Sequence, residues 1–150
     1  MRIKRSVYRT ILRTVPSVPP ETGGILGSRN GIVAAVCFDA GPPASLPECA
    51  VYRPNTERLN HQIAVWAQEG LSFCGIFHSH LPHEHGLSSG DLVYIQSIFQ
   101  NCKQLSELYV PLVIPETRLI PFLAFRNGTD IRIVSENLDF EEEVPYETFK

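Results

Sequence analysis

The sequence lacks any excess of positive charge: 13 Lys and Arg stand against 16 Asp and Glu over 150 residues, a net charge of −3. Neutralising a phosphate backbone needs a basic face, so nucleic acid is not an expected partner. Five basic side chains do fall within residues 2–13, but on a short helix they read as a solvated face. No apolar run approaches the roughly 18 residues of a membrane span, so no membrane partner is expected. Arg9 and Arg13 interrupt what would otherwise be the apolar stretch of a secretion signal. The four cysteines, Cys37, Cys49, Cys74 and Cys102, make no CxxC pair. They read as free thiols in a reducing compartment, which points to the cytoplasm. Internal repeats are absent as well.

What is present is a set of short strand patterns interleaved with helical ones, on a chain of single-domain length. Residues 5–14 predict a helix with Val7, Ile11 and Leu12 on its inner side, stopped by the Pro-rich stretch 15–20. Strands are expected over 23–27 and 32–38. Arg29-Asn30-Gly31 joins them, because Asn-Gly supplies the positive φ of a hairpin turn. A third short strand, Ala50–Arg53, follows a Pro-rich loop. Leu59, Ile63 and Trp66 recur at helical spacing over 56–68, and Gly70 ends that helix. Residues 71–77 are nearly all apolar, as in a strand buried on both faces. After a polar loop, 78–87, a helix over 89–102 turns Leu92, Ile95, Ile98, Phe99 and Cys102 inward. Strands over 109–114, 119–125 and 131–134 complete the domain, which is expected to occupy 1–135. Residues 136–150 hold six acidic side chains against one lysine and read as an acidic tail, mobile or draped over the surface.

The chemistry-bearing residues gather around the end of the buried strand. In an extended chain His78 and His80 face the same side, roughly 6.5 Å apart at Cα, while Ser79 turns away. Asp91 comes eleven residues after His80, where the next helix begins. Two imidazoles and a carboxylate leave a fourth position open for water, the pattern of a catalytic rather than a structural zinc site. Each part also has a plainer reading. An HxH pair occurs by chance, and Ser88-x-x-Asp91 by itself is a capping box. Glu21, after two prolines, is by itself a surface acid. His83 and His85 flank Glu84 in the polar loop, as solvated groups or as secondary metal contacts. His61 reads as an exposed or core-edge histidine. The Gly23-Gly24 pair marks backbone held close to a neighbour, either a helix or the metal loop.

Taken together, Glu21-Thr22-Gly23-Gly24-Ile25-Leu26-Gly27, then His78-Ser79-His80, ten intervening residues and Asp91 with Ser88 three before it, resemble the JAMM motif. That motif marks the catalytic branch of the MPN/JAB metalloproteases, and the resemblance is to the compact bacterial and archaeal type. It implies a single-domain, cytidine-deaminase-like α/β sandwich, a mixed sheet flanked by helices. It also implies one zinc per chain on His78, His80 and Asp91, with Glu21 as general base and Ser88 assisting the oxyanion. The implied reaction is cleavage of peptide or isopeptide bonds after a ubiquitin-like protein, which with its conjugates is the expected partner. In one departure, Leu81 stands where the family places proline, and the proline here is Pro82. This alters the path of the loop but not the ligand spacing. The resemblance says nothing of oligomeric state.

Three other classes compete. A silent MPN-type binding module would lack the ligands, which this chain retains. A zinc nucleoside deaminase of the same fold type would need a Pro-Cys-x-x-Cys pair, and none exists. An amidase or peptidase acting on a sulfur-carrier protein or a small peptide would share the chemistry, and the residues do not separate it.

Overall fold

The apolar run that leads into His78 forms the centre of the molecule, β4 (Ser72–Ser79), covered on both faces. The computed structural model describes residues 1–17, 21–41, 52–80 and 86–142. Before β4 come β1 (Arg2–Lys4), α1 (Arg5–Thr14), β2 (Gly23–Arg29), β3 (Ile32–Asp39) and α2 (Thr56–Gln68). After it come α3 (Ser89–Asn101), β5 (Glu107–Tyr109), β6 (Leu112–Ile114), β7 (Arg118–Ile120), β8 (Phe122–Asn127), β9 (Asp130–Ser135) and β10 (Asp139–Glu141).

The strands make one curled mixed sheet in the order β10-β1-β3-β2-β4-β5-β8-β9, with β6 on β4 and β7 beyond it. β4 pairs antiparallel with β2 but parallel with both β5 and β6. Period-two alternation then divides the apolar side chains into two cores. Ile25, Cys37 and Ile76 meet Leu59 and Trp66 of α2 and Ile95 and Phe99 of α3. Leu26, Val33, Phe77 and Val113 meet Val7 and Ile11 of α1. This is the expected single-domain α/β sandwich, with one helix on one face and two on the other.

The β2–β3 hairpin turns on Asn30 (φ 54°) and Gly31 (φ 76°), the left-handed pair that the Asn-Gly signal predicts. Gly23 and Gly24 are indeed crowded, but by neither a helix nor the metal loop. A Cβ on Gly24 would fall 2.0 Å from the carbonyl oxygen of Cys37 and 2.7 Å from the Phe77 ring. One on Gly23 would fall 2.3 Å from the carbonyl oxygen of Phe77 and 2.7 Å from the Tyr52 ring. The crowding comes from the flanking strands and Tyr52. Gly24→Ala is therefore expected to lower the free energy of unfolding by about 2 kcal/mol or more, because a backbone oxygen cannot yield without parting β2 from β3. An unchanged urea midpoint would show that the strands part freely.

Other expectations need correction. Leu92 is 41% exposed and faces outward on α3. The expected 109–114 and 119–125 strands are each broken in two, at Pro111 and Pro121, although both pieces of the first keep one register along the same edge of β4. Of the strand expected at 50–53, Ala50 and Val51 lie outside the described residues, and Tyr52 and Arg53 belong to no strand. Strands β1 and β10, which the sequence did not announce, pair in parallel. Of the acidic end, residues 139–141 form a strand of the sheet, with Arg2 ion-paired to Glu141 (2.6 Å) and Arg5 to Glu142 (2.6 Å). Cys37, Cys74 and Cys102 are free thiols, while Cys49 lies outside the described residues. No described helix is long and apolar enough to cross a membrane.

Candidate metal centre

β4 carries His78 to its last pair but one and ends at Ser79. The next residue, His80, is still held in the sheet by its N–H, which donates to the Val113 carbonyl at 3.1 Å. Alternation from Ile76 puts both histidines on the face covered by α2 and α3. Both are buried, at 8% and 4% exposure. The first turn of α3 meets them there.

Three side chains converge. Nε2 of His78 lies 3.0 Å from Nε2 of His80 and 3.0 Å from Oδ1 of Asp91. Nε2 of His80 lies 3.2 Å from Oδ2 of Asp91. Among the described residues these form the one group of three His, Cys, Asp or Glu placed to share an ion. Neutral imidazoles have one ring N–H each, so two facing Nε2 atoms beside a carboxylate bring lone pairs together unless a proton or cation lies between. Zinc bonds of about 2.0–2.2 Å at tetrahedral angles separate ligand atoms by about 3.3–3.6 Å, close to what is seen. The donor set fits a divalent ion, and His78, His80 and Asp91 could hold it.

The capping box is also real. Ser88 N–H donates to Oδ2 of Asp91 at 2.7 Å, and Asp91 N–H donates to Oγ of Ser88 at 3.2 Å. The capping-box reading of Ser88-x-x-Asp91 is thus met, and the same carboxylate lies within 3.2 Å of both histidines. Burial works to raise the Asp91 carboxyl, but its contacts with His78 and His80 and the Ser88 N–H outweigh it. They hold the group well below the usual carboxylate range. Asp91 is an anion throughout the working pH range.

Glu21 enters from the neighbouring strand. Gly23 pairs with His78 in the β2–β4 ladder, and Thr22 and Ser79 bond each other just beyond it. Continued by one pair, this sets half-buried Glu21 opposite His80, on the histidine face. Ser88 is exposed at the α3 N-terminus. His61 is exposed on α2 and is not a member of this group. His83, Glu84 and His85 lie outside the described residues.

Sequence reasoning missed the wall beside this cluster. Asp39, buried at the end of β3, accepts from Gly41 N–H (3.0 Å), the Tyr52 hydroxyl (2.7 Å) and Asn55 N–H (2.9 Å). The Gly41 bond is an Asx turn that Asp39-x-Gly41 could have announced. The Tyr52 and Asn55 bonds join distant residues and had no local signal. They hold the Tyr52 ring against Gly23, next to His78 in the ladder. Past Tyr94, a cleft of about 550 Å³ runs between α2 and α3 over Ile25, Phe73 and Ile76.

Burial, reinforced by the bond to Asp39, holds the Tyr52 phenol far above its ordinary 10. Burial and the charge of Asp39 push Tyr94 up to about 12. Both phenols ionise more readily in the unfolded chain, so the folded state retains protons that the unfolded state releases. This contribution is complete below pH ~10 and declines above it, the part from Tyr94 being lost as pH rises through about 12. The thiol of Cys74, pushed by burial to about 12, adds to the same slope. Denaturant midpoints should fall steeply above pH ~10, and less steeply in a Tyr52→Phe/Tyr94→Phe variant. An equal alkaline slope in that variant would remove the phenols from the account.

At the level of sequence, no family profile and no curated protein matches the chain. Solved structures do match its fold. A protein of Desulfitobacterium hafniense superposes with a TM-score of 0.64 at 16% identity, covering 97% of this chain and 96% of that one. A JAB1/MPN domain protein of Archaeoglobus fulgidus gives 0.50 at 19% identity, over 93% and 99%. A protein of Salinibacter ruber gives 0.54 at 14%, over 94% and 92%. The fold is thus one that a JAB1/MPN domain shares, and the His-His-Asp group on it fits a JAMM motif.

Proposed function

We propose that this protein is a zinc-dependent peptidase or isopeptidase that cuts after the extended C-terminal tail of a ubiquitin-like protein. The observation that carries the hydrolase reading is the convergence of His78, His80 and Asp91 to 3.0–3.2 Å on a JAB1/MPN-type fold, with Glu21 two residues before the adjoining strand β2. When bound there, zinc would act as a Lewis acid, lowering the pKa of its water from 15.7 to about 7 and polarising the scissile carbonyl.

The chain's own groups carry the protons. The Glu21 carboxylate takes one from the attacking water and hands it to the departing nitrogen. For a lysine side chain the second transfer is essential, because an amine anion is too poor a leaving group. Ser88 Oγ already accepts from Asp91 N–H, so its own hydrogen remains to be donated to the developing oxyanion. Cap and oxyanion donor are compatible in one hydroxyl.

The substrate class rests on shape. The donor cluster lies at the end of a strand, where an extended chain can be recognised through its main-chain groups. The Tyr52 ring packed over Gly23 narrows the approach on the β2 side and favours small residues near the cut. Two fusions test this, one joined through a Gly-Gly tail and one with that tail replaced by bulky β-branched residues. Cleavage of the first alone is expected. Equal cleavage of both, or cutting of an unfolded chain at many sites, would mean a general peptidase.

A further inference from the structure

Glu21 stands two residues before the start of β2 at Gly23. A hydrogen-bonded antiparallel pair normally exchanges two backbone bonds. At Thr22 and Ser79 only one of them is backbone: Ser79 N–H donates to the Thr22 carbonyl at 2.7 Å. The Thr22 N–H goes instead to the Ser79 hydroxyl oxygen, at 2.9 Å. This is the last pair of the ladder: β4 ends at Ser79, and the next amide, His80 N–H, bonds Val113 on the opposite edge. Both Thr22 and Ser79 are buried, at 4% and 3% exposure, so water cannot supply a replacement acceptor.

We propose that Ser79, the residue between the two histidines, is a positioning residue: its hydroxyl clamps Thr22 to the end of β4 and thereby fixes Glu21 opposite His80. The inference rests on the hydrolase reading, with Glu21 as base. A hydroxyl is needed at this position because it takes the place of the Ser79 carbonyl as acceptor for the Thr22 N–H. Alanine would leave a buried N–H with no acceptor and free the backbone that carries the base. The metal ligands, on the opposite face and on α3, would keep their places.

The test combines kinetics with hydrogen exchange on the zinc-loaded full chain, using the Gly-Gly fusion as substrate. Ser79→Ala should retain its zinc and leave KM within about twofold, while kcat falls about tenfold or more, since misplacement of a reacting group by about 1 Å can cost 10²-fold. Ser79→Thr keeps the hydroxyl and should restore kcat. In single turnovers on the Glu21→Gln background, Ser79→Ala should cost less than about twofold further, because the two residues act as one unit. Exchange of the Thr22 amide should accelerate in Ser79→Ala and not in Ser79→Thr. An unchanged Thr22 amide in Ser79→Ala, or an equal loss of kcat with and without Glu21, would overturn the proposal. If Glu21→Gln alone turned over normally, the general-base reading would fail, and the amide exchange would still decide whether the clamp exists.

Discussion

Glu21→Gln is expected to keep the fold and the zinc and to lose turnover by a factor of roughly 10²–10⁴, the usual cost of removing a general base. Glutamine has nearly the same shape and can still hydrogen-bond a water, but it cannot take a proton from it. The Thr22–Ser79 bonds beside residue 21 are made by backbone groups and a hydroxyl and do not depend on its charge. Glu21 is outside the His78, His80 and Asp91 group, so metal content should not change. Turnover near that of the unaltered protein would assign the base elsewhere, with Glu84 the next acid to examine.

The second large effect is expected at Asp91, where one carboxylate serves two purposes. Asp91→Asn retains an oxygen that can accept the Ser88 N–H, so melting of the metal-free protein should change little. Zinc affinity should fall by at least about 100-fold, beyond the roughly 10–100-fold that loss of an outer hydrogen-bond partner costs, because the anionic ligand is gone. Calorimetric titration of zinc and thermal melting of the metal-free protein separate the two. Lower melting with zinc affinity intact would reduce Asp91 to a helix cap.

Much of this arrangement was legible because its signals are local. The His78-Ser79-His80 alternation places two imidazoles on one face of any strand, and Ser88-x-x-Asp91 starts a helix whatever surrounds it. The 3.6-residue spacing of Leu59, Ile63 and Trp66 gave α2 its limits, and Asn30-Gly31 gave the hairpin its turn. What was not legible depends on contacts between distant residues. The short strands β1 and β10 have no pattern of their own and form by long-range pairing, β1 on β3 and β10 on β1, as in Ile3 with Val33 and Arg2 with Asp139. Leu92 fits the apolar stripe of α3 by spacing, yet it lies in the first turn, beyond the edge of what the sheet covers. Asp39 and Tyr52 look ordinary in sequence, and become a wall of the site only once β3 ends beside Gly23. Strand alternation turns Ser79 away from the two histidines, but the backbone amide that it meets there belongs to a residue 57 positions earlier.

His78, His80 and Asp91 are proposed to hold one catalytic metal ion. The most direct measurement is titration of Zn²⁺ into the metal-free full chain, comparing the unaltered protein with His78→Ala/His80→Ala. The unaltered protein should take up one equivalent tightly, and the variant, folded but with two of three donors gone, should show no tight binding. The same stoichiometry and affinity in both would contradict the assignment of the site.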